Sequence, residues 1–573
     1  DLRKHLNTDA FYEKNYIRSD GYLLVPQMRS MPAPVLSNVK ISEMLKVVDT
    51  LDENGKSSQA LRCVQYNFSL PGACGSVLFQ NTDIKPIVGF HVAGTGFKNT
   101  GDGYSVITSF DLVSDMIKFF EKNKEVPMVQ CATAEYLDAN DISTTLDGMN
   151  VHLLGGVPKS KALNQPNETK IVKSLVDKFL VGDSLTQPAP LSRKHPTYEN
   201  HFEGPFMAGV RHMGETCRDI PTHDADLVGD SILKMGLPMS PMVVKPKKLT
   251  VDQAIVGLPV QYYDRIALST SPGYPYNKMP HSDGTKNSFI QISDDNEVTI
   301  HPSLSSNLEK NDKIRSEGKM VDTVFVDVMK DERRTPTKIA TPGSTRIVSM
   351  SPVCFTIAFR QVFLHFMAAF MNARHTLPHA LGINPDGPEW TQLVGRLKDM
   401  NSKAVWTIDY KNFGPGLSSR AAQWAYKLFF QWTKSNVEGI NDLEAWALCG
   451  ELINSRHLAH DAVYQQVCGS PSGSPSTVIV NTIVNWYYLL LALKRISRKQ
   501  SAVKALVDEK GLVGAFLYIC CYYAYGDDGI GATRPQYQDF FNSATIIAEL
   551  SEYEICATTS DKESVVSYSV PYS

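Results

Sequence analysis

The sequence predicts a multidomain protein: an all-β unit at the N-terminus followed by a larger α/β region. Two observations carry this. Up to about residue 122, apolar residues come in short strand-like runs set between Gly, Pro and Asn, among them 21–26, 76–79 and 86–92. Beyond residue 150 the pattern becomes mixed, with helical runs such as Lys170–Phe179 and Pro352–Asn372 alternating with Gly/Pro loops and a few strongly apolar strands. A polar, weakly periodic stretch between them sets a boundary near residue 130. The expected units are 1–125, a junction at 126–150, and 151–573.

Composition narrows the class. At 573 residues the chain has room for roughly three or four domains. Hydrophobic residues at 43% and charged residues at 20% suit a chain that buries large cores. A net charge of -3 means that any basic surface must be local. The 10 cysteines show no CxxC spacing, which argues against a disulfide framework or a zinc site and for a reducing, intracellular setting. The opening Asp1-Leu2-Arg3-Lys4-His5 has no apolar segment of a secretory signal behind it and no initiating Met, so a fragment or a cleaved product is expected. The apolar stretch Val478–Leu493 is interrupted by Asn481 and Asn485 and falls short of a membrane span, so a buried helix is expected.

Four segments carry chemistry. In Val405-Trp-Thr-Ile-Asp409 an apolar strand ends in a carboxylate, followed by Phe413-Gly-Pro-Gly416. In Phe516–Gly531 two aromatic-rich runs flank Gly526-Asp527-Asp528-Gly529, a hairpin whose turn holds adjacent carboxylates. In Gly469-Ser-Pro-Ser472-Gly473 a Ser/Gly/Pro loop enters a segment where Thr477, Asn481 and Asn485 recur at i, i+4 and i+8, one polar stripe on an apolar helix. In Lys330–Arg346 five cations fall among Thr, Pro and Gly. Each has a plain reading alone: a turn-forming Asp, a solvated helix face, a charged surface. Together they fit one chemistry. Acidic groups from separate strands suit two divalent ions, and clustered cations suit a transferring phosphoryl group.

In this order the segments resemble the motifs of positive-strand RNA virus polymerases of the picorna-like group, especially the dicistrovirus and iflavirus relatives. The resemblance spans roughly residues 150–573. It implies a right-hand fold with an antiparallel palm sheet and template-directed RNA synthesis in a replicase polyprotein. By the same resemblance Asp409 and Asp527 hold two Mg²⁺ ions, or Mn²⁺, with Asp528 assisting. Ser472, Gly473, Thr477 and Asn481 recognise the ribose and accommodate the template. Lys330, Arg334, Lys338 and Arg346 line the NTP entrance, and Lys562 is a candidate general acid. Thr270–Pro275 and Leu381–Pro385 resemble further signatures of the group. Implied partners are RNA template and primer, NTPs and other viral replication proteins, in the host cytoplasm at membrane-associated replication complexes. A reverse transcriptase also carries paired aspartates, but the Ser-Gly loop, Asn481 and Gly526 favour RNA synthesis. Two departures stand out. Gly414 occupies the position where many relatives carry a second carboxylate, which leaves the 2′-hydroxyl to Asn481 and its neighbours. The chain also stops at Ser573, so a missing thumb is expected.

At the front, Leu70-Pro-Gly72-Ala-Cys74-Gly-Ser76 followed by Gly89-Phe-His91-Val-Ala-Gly94 resembles the second barrel of a chymotrypsin-like 3C cysteine protease. That resemblance implies Cys74 as nucleophile, backbone N–H groups of Cys74 and Gly72 as oxyanion hole, and His91 shaping a pocket for Gln. The alternative function is therefore cleavage of a polyprotein after Gln. His5 is the only histidine before Cys74 and no first barrel precedes it, so this chain is expected to lack its base and to be inactive. Gln130-Cys131 is a candidate junction for such a protease.

Overall fold

The structure is a computed structural model that describes residues 2–14, 19–25, 35–51, 57–69, 73–82, 85–95, 101–115, 126–176, 185–215, 217, 220–402 and 405–559. Contacts divide the chain into two compact units, Asp1–Glu125 and Val126–Ser573.

In the first unit, β1 (Ser19–Val25), β2 (Val35–Leu51), β3 (Ser57–Tyr66), β4 (Val77–Gln80), β5 (Ile87–Gly94) and β6 (Gly103–Ile107) form a closed antiparallel barrel ordered β1-β2-β3-β6-β5-β4. Side-chain alternation drives the closure: along β1, Leu23 and Val25 are buried while Leu24 faces out. The inner set includes Val39, Ile41, Tyr66, Leu78 and Val88. A closed barrel leaves no unpaired sheet edge, which suits the short Gly-punctuated strands of this segment.

The second unit holds two main sheets. The strands of these two sheets are β7 (Val151–Gly156), β8 (Val324–Met329), β9 (Ile347–Met350), β10 (Val405–Tyr410), β11 (Arg456–Ala459), β12 (Ala462–Gln466), β13 (Cys520–Tyr525), β14 (Asp528–Thr533) and β15 (Ala557–Thr558). Five form a mixed sheet ordered β9-β8-β11-β12-β7, with β8 and β11 parallel. The other four form an antiparallel sheet ordered β13-β14-β10-β15. Helices Val353–Asn372, Ser419–Asn436 and Thr477–Lys499 share one core with this second sheet, built on Phe366, Phe429, Trp432 and Trp486. The run of Val and Ile in 478–484 favours a strand by propensity, yet it lies within the helix Thr477–Lys499, as the i, i+4 spacing of its polar residues indicates. Two helices, Val353–His375 and Thr477–Lys499, are long and apolar enough to cross a membrane, so the second exceeds the expectation from sequence. In the structure 83% and 78% of those windows are buried inside the unit, as expected of core helices.

Two expectations need correction. The helix expected over Lys170–Phe179 is absent from its described part, 170–176. Instead the Asp331 carboxylate accepts hydrogen bonds from Thr169 Oγ1 and the Lys170 amide, both at 2.7 Å, and ties this segment down without a helix. The other concerns residues 126–150, which are no free linker. Gln130 donates its N–H to Gly318 O at 2.7 Å and accepts from the Met320 amide at 2.8 Å. Further on, the buried Asp461 carboxylate takes four hydrogen bonds, from the amides and hydroxyls of Ser143 and Thr144. Those bonds outweigh burial and hold its carboxyl down at about 2, against an ordinary 3.8. A depressed carboxylate stabilises the fold above its unfolded value and loses that contribution as pH falls through the folded one. The junction is thus held by about 2 kcal/mol at neutral pH, lost progressively between about pH 4 and pH 2.

Candidate active site

The site is built where strands of the antiparallel sheet end. Along β10, Trp406, Ile408 and Tyr410 are buried and Asp409 faces solvent. Strand β10 pairs with β14 so that Ile408 lies opposite Gly529, and one step further the register sets Asp409 beside Asp528. Hairpin β13–β14 closes with Tyr525 opposite Asp528, and Gly526 at φ +64° makes the turn that carries Asp527. The turn lies close against neighbouring rings. A Cβ at Gly531 would fall 2.4 Å from the Trp406 ring, and one at Gly529 1.7 Å from the Tyr522 oxygen.

Electrostatics mark the three carboxylates as a unit. Burial, then the charges of Asp528 and Asp409, push the Asp527 carboxyl up, with the Arg346 guanidinium partly offsetting them. Asp528 is raised by partial desolvation and by Asp409. Anions kept together without a compensating salt bridge cost stability unless a cation joins them.

Helix Thr477–Lys499 braces this turn. Thr482 Oγ1 accepts from the Gly526 amide at 2.9 Å. The fully buried Asn485 donates its amide to the carbonyls of Gly526, Asp527 and Asp528 at 3.2, 3.1 and 3.4 Å. Its Oδ1 accepts from Tyr522 at 2.9 Å and from Tyr410 at 3.4 Å. Asn485 was read from sequence as part of the polar stripe, without a role. The stripe is not a wet face here.

The Ser/Gly loop docks on β9. The Ser349 amide donates to Ser472 Oγ at 3.1 Å, and the Gly473 amide donates to Ser349 O at 3.0 Å. The Thr477 hydroxyl is turned toward the loop itself, within 3.1, 3.1 and 2.9 Å of the carbonyls of Pro471, Ser472 and Ser474. Asn481 Oδ1 is buried and has no hydrogen-bond partner among the described residues. A Cβ at Gly414 would meet nothing within 4 Å, so that position borders open space.

The basic segment converges on one anion. Glu332 lies 3.2 Å from Lys330 Nζ and 3.5 Å from Arg334 Nη1, and it binds the Arg346 guanidinium through both carboxylate oxygens. Burial opposes this charge, but the ring of cations wins and lowers the Glu332 carboxyl. Arg346 also feels Asp527, which joins the basic segment to the aspartate turn. Lys338 is exposed on the short helix Pro336–Ile339. Glu332 was missed in sequence because it sits inside the Lys-Asp-Glu-Arg-Arg run. Lys562 lies outside the described residues.

Hard carboxylate oxygens suit Mg²⁺ or Mn²⁺. Among the described residues no three His, Cys, Asp or Glu groups form a ready-made metal cage. A cleft of about 970 Å³, lined by Tyr136, Tyr274 and Lys310 among others, contains none of the three aspartates. Chemistry rather than cavity size therefore locates the site.

A family model for viral RNA-dependent RNA polymerase matches residues 236–572, more than half of the chain. The protein belongs to that polymerase family. All three aspartates, the Ser/Gly loop and the five cations of the basic segment lie inside the match. The chain is 32% identical over 515 residues to the genome polyprotein of Deformed wing virus, covering 87% of this chain and 17% of the polyprotein. With the replicase polyprotein of Cricket paralysis virus it shares 28% identity over 529 residues, covering 88% of this chain and 29% of that one. The chain thus spans less than a third of these relatives. Among solved structures it resembles the Sicinivirus 3Dpol RNA-dependent RNA polymerase, at TM-score 0.56 and 21% identity, over 72% of this chain and 78% of the other. That likeness supports the right-hand polymerase fold.

The barrel unit lies outside the family match. There Cys74 is exposed on the turn before β4, and its thiol donates to Val92 O at 3.5 Å. His91 is buried in β5, its Nδ1 meeting the Tyr66 hydroxyl, which also accepts from Ser105 Oγ at 3.1 Å. Burial lowers the His91 pKa and raises that of Tyr66. Tyr66 and Ser105 had no sequence signal beyond strand alternation. Gly72 lies outside the described residues.

Proposed function

We propose that the second unit performs template-directed RNA synthesis by two-metal nucleotidyl transfer. The observation that carries this reading is the meeting of Asp409, Asp527 and Asp528 at neighbouring strand ends within the field of Arg346. Asp409 and Asp527 would hold the ions, with Asp528 assisting. Two bound Mg²⁺ ions supply activation of the primer 3′-hydroxyl and stabilisation of the leaving pyrophosphate. Arg346, Arg334, Lys330 and Lys338 bind the triphosphate and neutralise charge as it moves. The unpaired Asn481 Oδ1, beside the Gly526 turn, is an acceptor for a sugar hydroxyl. Ser472 and Gly473, fixed to β9, present a rigid loop to the template and the incoming ribose. Partners on this reading are template and primer RNA, NTPs and other viral replication proteins, in the host cytoplasm at membrane-associated replication complexes.

The test is extension of a primed RNA template by the purified protein in Mg²⁺. Incorporation of NTPs that follows the template, with dNTPs used poorly, is expected. Equal use of dNTPs would favour reverse transcription, and untemplated addition would remove the proposal.

A second reading concerns the barrel unit. We infer that it is the C-terminal barrel of a 3C-like cysteine protease, supported by a closed six-stranded barrel that presents Cys74 near a buried His91. A neutral imidazole fixed by Tyr66 is a suitable donor to a glutamine side chain. A peptide aldehyde ending in Gln is expected to protect Cys74 from alkylation, and Tyr66→Phe is expected to weaken that protection. Alkylation at an unchanged rate in saturating peptide would count against the reading.

A further inference from the structure

We propose that Asn485 is a positioning residue that fixes the spacing between Asp409 and the Asp527–Asp528 turn, and so prepares the three carboxylates for divalent cations. The proposal rests on the polymerase reading above, since it deepens the same site.

The geometry is specific to an amide. Three consecutive carbonyls, those of Gly526, Asp527 and Asp528, converge on the two Nδ2 hydrogens of one side chain. Beneath a turn that already carries two carboxylates, three inward-facing carbonyl dipoles repel one another and the carboxylates above. Only a buried donor relieves this, because water is excluded: Asn485 is fully buried. Without the donor, the cheapest response is rotation of one peptide of the turn, which would re-aim Asp527 or Asp528.

The other end of the amide reaches both flanking strands. Oδ1 accepts from Tyr522 on β13 and from Tyr410 on β10, the residue after Asp409. A single side chain thus ties the turn to the strand that carries the third aspartate. Thr482, one helical turn earlier, reaches the turn through the Gly526 amide and otherwise bonds its own helix at Val478 O, so it cannot set this distance. Aspartate would keep the shape of Asn485 but not its donors, and leucine would keep roughly the volume but neither function.

The experiment measures Mn²⁺ binding by calorimetry, without RNA or NTP, on the 573-residue protein, with amide hydrogen exchange across Gly526–Gly529 as a second readout. Asn485→Leu is expected to weaken Mn²⁺ binding about tenfold, as when a group that orients metal ligands is lost, and to speed exchange at the turn. A merely structural role would lower the melting temperature and leave Mn²⁺ affinity of the folded protein unchanged, which would overturn the proposal. If Asn485→Leu does not fold, the Tyr410→Phe/Tyr522→Phe double variant decides, because it keeps both rings: wild-type Mn²⁺ affinity there overturns the proposal. Asp527→Asn separates the two levels. Loss of Mn²⁺ binding in Asp527→Asn with wild-type binding in Asn485→Leu sinks only the role of Asn485, whereas wild-type binding in Asp527→Asn sinks the polymerase reading itself.

Discussion

Asp527→Asn is expected to lower RNA synthesis by about 10³-fold or more while raising the metal-free stability of the protein. The first effect follows from removing a carboxylate that would hold a catalytic ion, an interaction worth several kcal/mol in the transition state. The second follows from sign. Burial and the charges of Asp528 and Asp409 raise the Asp527 carboxyl in the folded state. A raised carboxyl means that the folded protein binds the proton more tightly than the unfolded chain does. Stability is therefore lost as pH climbs from the unfolded value, near 3.8, through the raised one, and at neutral pH the ionised group is a net cost. The neutral asparagine removes that cost. The variant should melt about 1–2 °C higher without metal, and should gain less than wild type from added Mg²⁺. Thermal melts with and without Mg²⁺, beside a primer-extension assay, check both halves. A variant that melts lower without metal would contradict the electrostatic account even if activity were lost.

Gly473→Ala is expected to reduce kcat/KM for NTP by about 100-fold with the fold retained, since a misplacement near 1 Å at a reacting centre costs about that much. A Cβ there would lie 2.4 Å from the Ser349 carbonyl oxygen and 3.2 Å from Met350 Cα. Both are backbone atoms of β9, held by pairing with β8, so the sheet cannot yield cheaply. The loop must move instead, breaking the Gly473 to Ser349 hydrogen bond and carrying Ser472 with it. The hydrophobic core does not depend on this contact, so the melting temperature should change little. Steady-state kinetics beside a thermal melt separate the outcomes, and wild-type kcat/KM would show that the loop tolerates displacement.

What the sequence revealed depended on how local each signal was. The aspartates were legible because Asp409 ends an apolar strand and Asp527–Asp528 sit in a turn flanked by aromatic-rich strand runs, patterns contained in a few residues. The closed barrel was legible as short alternating runs. Asn485 was not: its partners at Gly526 to Asp528 lie 41 to 43 residues away, and nothing in its own helix distinguishes it from Asn481. Glu332 was hidden by the cations around it, because a mixed run reads as surface until its side chains are seen to converge. The helix expected from Lys170 failed for the same reason in reverse. Its local pattern was sound, but Asp331, more than 160 residues on, captured its first backbone donor.

The cluster around Glu332 also changes what the basic segment means for selectivity. Lys330, Arg334 and Arg346 do not present bare charge, since each already faces the same carboxylate. Any incoming anion must therefore outbid an internal rival, and its net gain is the difference between the two sets of contacts. A compact triphosphate that reaches several cations at once can win that exchange, whereas a lone phosphate of a passing RNA strand gains little from it. If the basic segment is the NTP entrance proposed above, that entrance is a threshold, set by one glutamate, that weak polyanions fail to cross.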